Sequence, residues 1–445
     1  MLIIPANSLA SGGFAVDNSC RFDDGSSASM SRDQSANSAG TTTIGTLSVW
    51  IKMSAAGTEQ VIYERQTDTS NYFKVWFENN KLLIQTVTGG SIAMKYETNR
   101  LFRDPSAWYH IVVVLDSTDG SAGDRQQIWI NGVKETSFST STNIGSSASF
   151  QINTGTGTDY IGKRSSGNYF DGYIAEFAWI DGTDYTTTSF GEFDADSGAW
   201  KAIDVSGLTF GTNGFYLDFE DSAALGNDAN GGTDFTVNNL TSIDQSTDTP
   251  TNNFATMNAL GGYGTFSEGN LKFVTSTTDG QWGTSTISLS SGGKWYCEVK
   301  MIATSDKYQV GLTNNNAQEF TYRVVYRSDG VIYVGGSSTS GYTTYTTNDI
   351  IGMAFDSLNR EITFYKNGSS VGTVTAPALA SSVPQDYFFG ATSLSSGTLT
   401  TEWNFGNPPY SISSGNADGN GYGNFEYSVP SGYYSLNTKN LAEFG

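Results

Sequence analysis

What most constrains this chain is a long succession of short segments in which apolar and polar residues alternate, with no stretch holding the 3.6-residue period of a helix. The first series is LSVWIKM (47–53), YFKVWFE (72–78), KLLIQTV (81–87), WYHIVVVLD (108–116), RQQIWING (125–132), DYIGK (159–163) and GYIAEFAWIDG (172–182). All read as strands, and several alternate apolar with polar, the period-two pattern of a sheet with one face buried. A second series follows: GNLKFVTS (269–276), GKWYCEVKM (293–301), YQVGLT (308–313), VIYVGG (331–336), DIIGMAFD (349–356), REITFYKNG (360–368), YFFGAT (387–392) and LTTEWNFG (399–406). Asn131-Gly132 and Asn367-Gly368 predict tight hairpins, because that pair accepts the positive φ values of a type I′ turn.

Between the two series, LTSIDQSTDTPTNNFATMNALGG lacks the alternation and is rich in turn formers. The expected fold is therefore all-β, two tandem antiparallel β-sandwiches. One spans 1–245, with residues 1–14 as a possible attachment segment; 246–262 form a linker and 263–406 the second sandwich. The tail 407–445 is expected to pack on that sandwich through Tyr422, Phe425, Tyr427, Tyr433 and Tyr434. The chain's 445 residues suit this, since a sandwich often runs to roughly 200–250 residues.

Forty-four acidic residues against 23 basic ones give a net charge of −21, which repels a phosphate backbone and disfavours nucleic-acid binding. The excess is concentrated in 171–250, where 15 acids face only Lys201. One cysteine falls in each expected domain, Cys20 and Cys297, so no disulfide within a domain can form and two free thiols are expected. The opening MLIIPANSLASGG has no basic region before its apolar run and does not read as a signal peptide. No stretch approaches the roughly 20 apolar residues that span a bilayer, so membrane insertion is not expected.

Catalytic chemistry is scarce. His110 is the only histidine, which excludes serine and cysteine triads and multi-histidine metal sites. Its place mid-strand in WYHIVVVLD, like that of Cys297 in KWYCEV, predicts a packed structural residue. Glu176, Asp218, Glu220 and Glu361 lack the close strand spacing of a glycosidase carboxylate pair and are expected to face outward.

Two features carry functional weight. The loop with Asp116, Asp119 and Asp124 is oxygen-rich, and Ca²⁺ takes about six to eight oxygens; a solvated acidic surface suited to high salt is the alternative. Tyr322, Tyr326, Tyr342 and Tyr345 lie in polar loops, where tyrosine supplies a large contact area with only two torsions to freeze; cross-strand packing explains them as well. The apolar Leu2-Ile3-Ile4 run can add to a neighbouring subunit or form an edge strand of the first sandwich.

LSVWIK (47–52), WYHIVVVLD…QIWINGVKE (108–135) and YIGKRSSGNYFDGYIAEFAWIDG (160–182), in that order, resemble the laminin-G-like, concanavalin-A-type jelly roll. GKWYCEV (293–299), YQVGLT, DIIGMAFD and ITFYKNG (362–368) resemble a SPRY domain. The tandem, closed by NFGNPPY (404–410) and SGYYSLNTKNL (431–441), is similar to virion proteins of marine tailed phages. The jelly-roll resemblance implies a rim that often binds Ca²⁺, with no other cofactor. The SPRY resemblance implies a partner surface on the loops at one end.

The phage resemblance implies a non-enzymatic protein of the virion surface, made in the host cytoplasm: a tail fibre, receptor-binding protein or capsid decoration. Its partners would be other virion proteins, further copies of itself, and a host-surface glycan or protein. The competing classes are a secreted lectin-like protein, opposed by the missing leader, and a polysaccharide-degrading enzyme, opposed by the missing carboxylate spacing.

Overall fold

A computed structural model describes the chain except residues 1–12, 35–37, 262, 276–281, 290–291, 305–307, 315–319, 382, 384–385 and 394–396. The Leu2-Ile3-Ile4 run lies outside the described residues. The chain divides into two compact units between Thr251 and Asn252, each built from antiparallel sheets.

In the N-terminal unit, one sheet is ordered Val133–Lys134, Gln126–Ile130, Tyr109–Asp116, Ile44–Met53, Gly172–Asp181, Ser19–Phe22 and Gln245–Ser246, with Phe215–Leu217 also paired to Gly172–Asp181. The other runs Phe138–Thr142, Ser91–Thr98, Lys81–Thr88, Asn71–Glu78, Gln60–Asp68, Thr158–Ile161, Ser29–Asp33 and Thr236–Asn238. The inward residues of both sheets form one core, including Leu47, Val49, Phe73, Val75, Ile84, Val113 and Trp179. This is the alternation of the sequence converted into two faces. Asn131 and Gly132 hold φ of 47° and 76°, and Asn367 and Gly368 hold 48° and 78°, the left-handed pair that a two-residue hairpin requires.

The stretch expected to be a linker is packed instead. Asp248 is buried in the N-terminal unit, where its carboxylate accepts from Lys52 Nζ at 2.6 Å and Trp108 Nε1 at 3.0 Å, and its carbonyl from Ser19 Oγ at 2.7 Å. Ala255 and Met257 are buried in the core of the C-terminal unit. Turn formers here supply side chains to buried hydrogen bonds rather than slack.

In the C-terminal unit, one sheet is ordered Thr265–Ser267, Lys272–Val274, Leu399–Asn404, Lys294–Thr304, Ile350–Asp356, Glu361–Lys366 and Ser369–Thr375. The facing sheet runs Gly283–Thr284, Phe388–Ser393, Tyr308–Thr313, Val324–Arg327, Val331–Val334 and Ser337–Ser340. The tail lies against the first of these sheets. Glu298 accepts from the backbone N–H groups of Glu426 and Tyr427 at 2.9 and 2.8 Å, and Tyr434–Ser435 adds a short parallel strand beside Lys294–Thr304. The tail ends in a helix, Thr438–Phe444, the one α-helix among the described residues. Asn437 caps it by accepting from the Asn440 N–H at 2.9 Å. Seven residues are two turns, too few for a period to show in sequence.

Candidate functional site

The carboxylates expected to gather Ca²⁺ each serve a separate local contact. Asp116 accepts from Thr118, Asp119 from the Ser121 N–H at 2.7 Å, and Asp124 from Lys134 Nζ at 2.9 Å, a bond that holds the Asp124 carboxyl below its ordinary range. The oxygens that do converge among the described residues, within 4.8 Å of one another, belong to Asp23, Asp24 and Asp171. Burial and the neighbouring Asp23 push the Asp24 carboxyl up.

The four tyrosines do not make one surface. Tyr326 and Tyr345 are buried in the core; the Tyr345 hydroxyl donates to the Tyr326 carbonyl at 2.9 Å and Tyr326's to the Thr343 carbonyl. Tyr322 and Tyr342 are half-buried at opposite ends of the sheet: Tyr322 precedes the start of Val324–Arg327, whereas the Tyr342 N–H bonds Gly330 beyond its end. Tyr326 takes an inward position of its strand, and Tyr345, in the segment that follows Ser337–Ser340, packs its ring against it at 4.8 Å.

His110 is buried against Trp50, their ring centroids 4.5 Å apart. Trp200 Nε1–H donates to Nδ1 at 2.9 Å, which leaves the proton on Nε2, 2.8 Å from Ser48 Oγ. Burial lowers its pKa to about 3, so it stays neutral. Glu176, expected to point outward, is buried. A bulge between Ala175 and Ala178 gives it φ 49° and turns its carboxyl to the Tyr216 hydroxyl at 2.6 Å, and burial pushes its pKa to about 8.

The arrangement best suited to a ligand lies elsewhere, on the outward face of the second sheet of the N-terminal unit. In YFKVWFE, Phe73, Val75 and Phe77 enter the core, which leaves Tyr72, Lys74 and Trp76 outside. Register then aligns the outward residues into cross-strand rows. Tyr160, Glu64, Lys74, Gln85 and Lys95 are successive partners in one, Val61, Trp76 and Leu83 in the next, and Gln66, Tyr72 and Val87 in a third.

The segment after Ile161 folds over this face. The Ser165 N–H donates to Glu64 at 2.6 Å and the Val61 N–H to the Asn168 carbonyl at 3.3 Å. Lys74 Nζ is 2.9 Å from Glu59 and lies over the Trp76 ring at 3.9 Å; Lys163 lies over Tyr160 at 5.1 Å; Gln85 Nε2 donates to the Tyr72 hydroxyl at 3.3 Å. Glu64 and Lys74 are nearly buried, 1% and 7% exposed, while Tyr72, Gln66, Lys95 and Tyr160 are half-exposed around them. Burial pushes the Glu64 carboxyl up, opposed by the Ser165 N–H, Arg164 and Lys74. Arg164 Nε is buried without an acceptor among the described residues. Rigid donors and acceptors set among aromatic faces suit a ligand that is polar at its edge and apolar on its face.

Residues 23–183 match the concanavalin A-like lectin/glucanases superfamily, and residues 294–408 match the SPRY domain. The chain carries a concanavalin A-like domain and a SPRY domain. A comparison with curated proteins finds no match. Among solved structures, similarity is found to the SPRY domain of human HERC1, at 18% identity over 28% of this chain and 89% of that one, TM-score 0.24. A protein of Bacteroides ovatus described as carbohydrate-binding matches at 16% identity over 51% and 60%, TM-score 0.35. Domains LG4-5 of the mouse laminin α1 chain match at 10% identity over 90% and 91%, TM-score 0.30. The candidate face lies on five strands inside the concanavalin A-like match. Its signal was present in sequence as the alternation of YFKVWFE and KLLIQTV, but the pairing of Glu64 with Lys74 and Gln85 required the register.

Proposed function

We propose that this chain is a non-enzymatic recognition protein that binds a glycan on the outward face of its concanavalin A-like domain, at the row Tyr160–Glu64–Lys74–Gln85–Lys95 beside Tyr72. The observation that carries the reading is that row: a sugar offers hydroxyls to fixed polar groups and C–H faces to aromatic rings, and this face has both within one strand spacing. The absence of catalysis is part of the proposal. The acids beside Lys74 are engaged, Glu59 with Lys74 itself and Glu64 with the Ser165 N–H. The finer placement, on the surface of a phage particle beside capsid or tail proteins and in several copies, rests on the resemblance of the tandem and its closing motifs to marine phage virion proteins.

The test is a glycan-array and calorimetric comparison of the protein with Lys74→Met and Tyr72→Ala. Losing a hydrogen bond to a charged group costs about 1.5–3 kcal/mol, so Lys74→Met is expected to weaken a captured glycan at least about tenfold at unchanged fold. Unaltered affinity in both variants would move the site off this face, and turnover of the glycan would end the non-enzymatic reading. Gold-labelled antibody on particles tests the placement separately.

A further inference from the structure

The C-terminal unit holds a pocket that this reading does not use. It lies where Ile350–Asp356 turns into Glu361–Lys366 and Ser369–Thr375 runs out, with a volume of about 320 Å³. Phe355, Leu289 and Tyr387 form a buried apolar floor. Phe355 and Tyr387 meet edge to face at 5.7 Å, and the Tyr387 hydroxyl is turned away to the Pro377 carbonyl at 2.8 Å. Ala378 and Leu379 make one wall and the hairpin tip Ser357–Arg360 the other, with Leu358 72% exposed on the lip.

The tip is held rigidly. Asp356 accepts from the Asn359 backbone and side chain, both at 3.0 Å, and Ser357 Oγ donates to the Gly293 carbonyl at 2.7 Å. Arg360 sits at φ 56°, a left-handed conformation that glycine or asparagine adopts at lower cost. Its guanidinium is the one charged group among the described residues that line the pocket. One donor, on Nη1, reaches the Ala376 carbonyl at 3.4 Å, and no carboxylate pairs with Arg360 among the described residues.

We propose that this pocket binds a small monocarboxylate with an apolar or aromatic body, its carboxylate on Arg360 and its body on Phe355, Leu289 and Tyr387. The planar guanidinium fork matches a carboxylate, and a single cation compensates one negative charge; a phosphate dianion would be left undercompensated in a chain of net charge −21. The volume is at the small end of ligand pockets, roughly 300–1,000 Å³, which suits one ring with a short acid arm. Strain at Arg360 then has a counterpart, because it keeps a cation at the mouth of the cavity.

The experiment titrates the full chain with 3-phenylpropionate and with its neutral amide, 3-phenylpropanamide, by calorimetry and ligand-observed NMR. The acid is expected to bind at least about tenfold more tightly than the amide. Arg360→Gln should erase that preference, Arg360→Lys should keep part of it, and Leu379→Trp, which fills the cavity, should abolish binding of both. No binding of the acid at millimolar concentration, equal affinity for acid and amide, or a preference that survives Arg360→Gln would each overturn the proposal. The comparison of acid with amide is made on the unaltered protein, so it decides even where a variant fails to fold. Glycan binding at the other domain is measured apart from it.

Discussion

Two buried side chains of the N-terminal unit contribute to the pH dependence of its stability in opposite directions. His110 has its pKa lowered to about 3 from an ordinary 6.5, so the unfolded chain takes up a proton first as pH falls; its contribution is complete above about 6.5 and is lost toward 3. Glu176 has its pKa raised to about 8 from 4.5, so the folded state holds the extra proton; its contribution is complete below about 4.5 and is lost as pH rises toward 8. Glu176→Gln removes the second term and leaves the first. In urea unfolding the variant is expected to match the wild type near pH 5 and to gain on it at up to about 1.4 kcal/mol per pH unit toward pH 8. A constant offset at every pH would show that Glu176 does not titrate in this window. His110 as a packed residue was legible, because it stood alone in an apolar strand. The burial of Glu176 is not, since a one-residue bulge, invisible to period-two reasoning, turns its carboxyl to Tyr216, which is buried with Val112, Ala178 and Ile180 on the face of the sheet away from the main core.

At the scale of strands and loops, alternation told which residues face out, and both Asn-Gly hairpins followed from the φ that their turns demand. Which outward residues become neighbours depends on register, which couples separate strands; that is why Lys74 and Glu64 do not stand out as a pair in sequence, and why the burial of Tyr326 between Val310 and Ile332 is not legible there. The tail shows the same limit. Its aromatics announced packing, and Phe425 is indeed buried, but the anchor is Glu298, mid-strand in KWYCEV. That carboxylate accepts from Tyr427 and Glu426 N–H and from Tyr296 and Asn404 side chains, and burial still raises its pKa to about 7. Glu298→Ala would strand several buried donors at about 1–3 kcal/mol each. Proteolytic cleavage and fast hydrogen exchange are expected to appear at 411–428 before the sheets open. A tail as protected as in the wild type would mean that the Tyr434–Ser435 strand and the terminal helix hold it alone.

For the molecule as a whole, the division between Thr251 and Asn252 is set by buried charge rather than by composition. The turn formers between 246 and 257 look like slack, yet Asp248 neutralises Lys52, and the two side chains are 0% and 1% exposed. A fragment ending at residue 245 therefore removes the buried carboxylate to which both Lys52 Nζ and Trp108 Nε1 donate. Breaking a buried pair from one side costs about 3–5 kcal/mol, a large part of the roughly 5–15 kcal/mol that holds a domain folded. A fragment of residues 1–251 retains the pair. Expressed separately, residues 1–251 and 252–445 are each expected to unfold cooperatively, whereas 1–245 should melt at a markedly lower temperature or not fold. Lys52→Met in the short fragment replaces the buried ammonium with an apolar side chain of similar length and should recover part of the loss. If 1–245 is as stable as 1–251, Asp248 contributes nothing net to the unit, and the boundary can be drawn before it; if Lys52→Met recovers nothing, the loss comes from truncating the strand Gln245–Ser246 and its pairing of Ser246 with Ser19 rather than from removal of the Asp248 carboxylate.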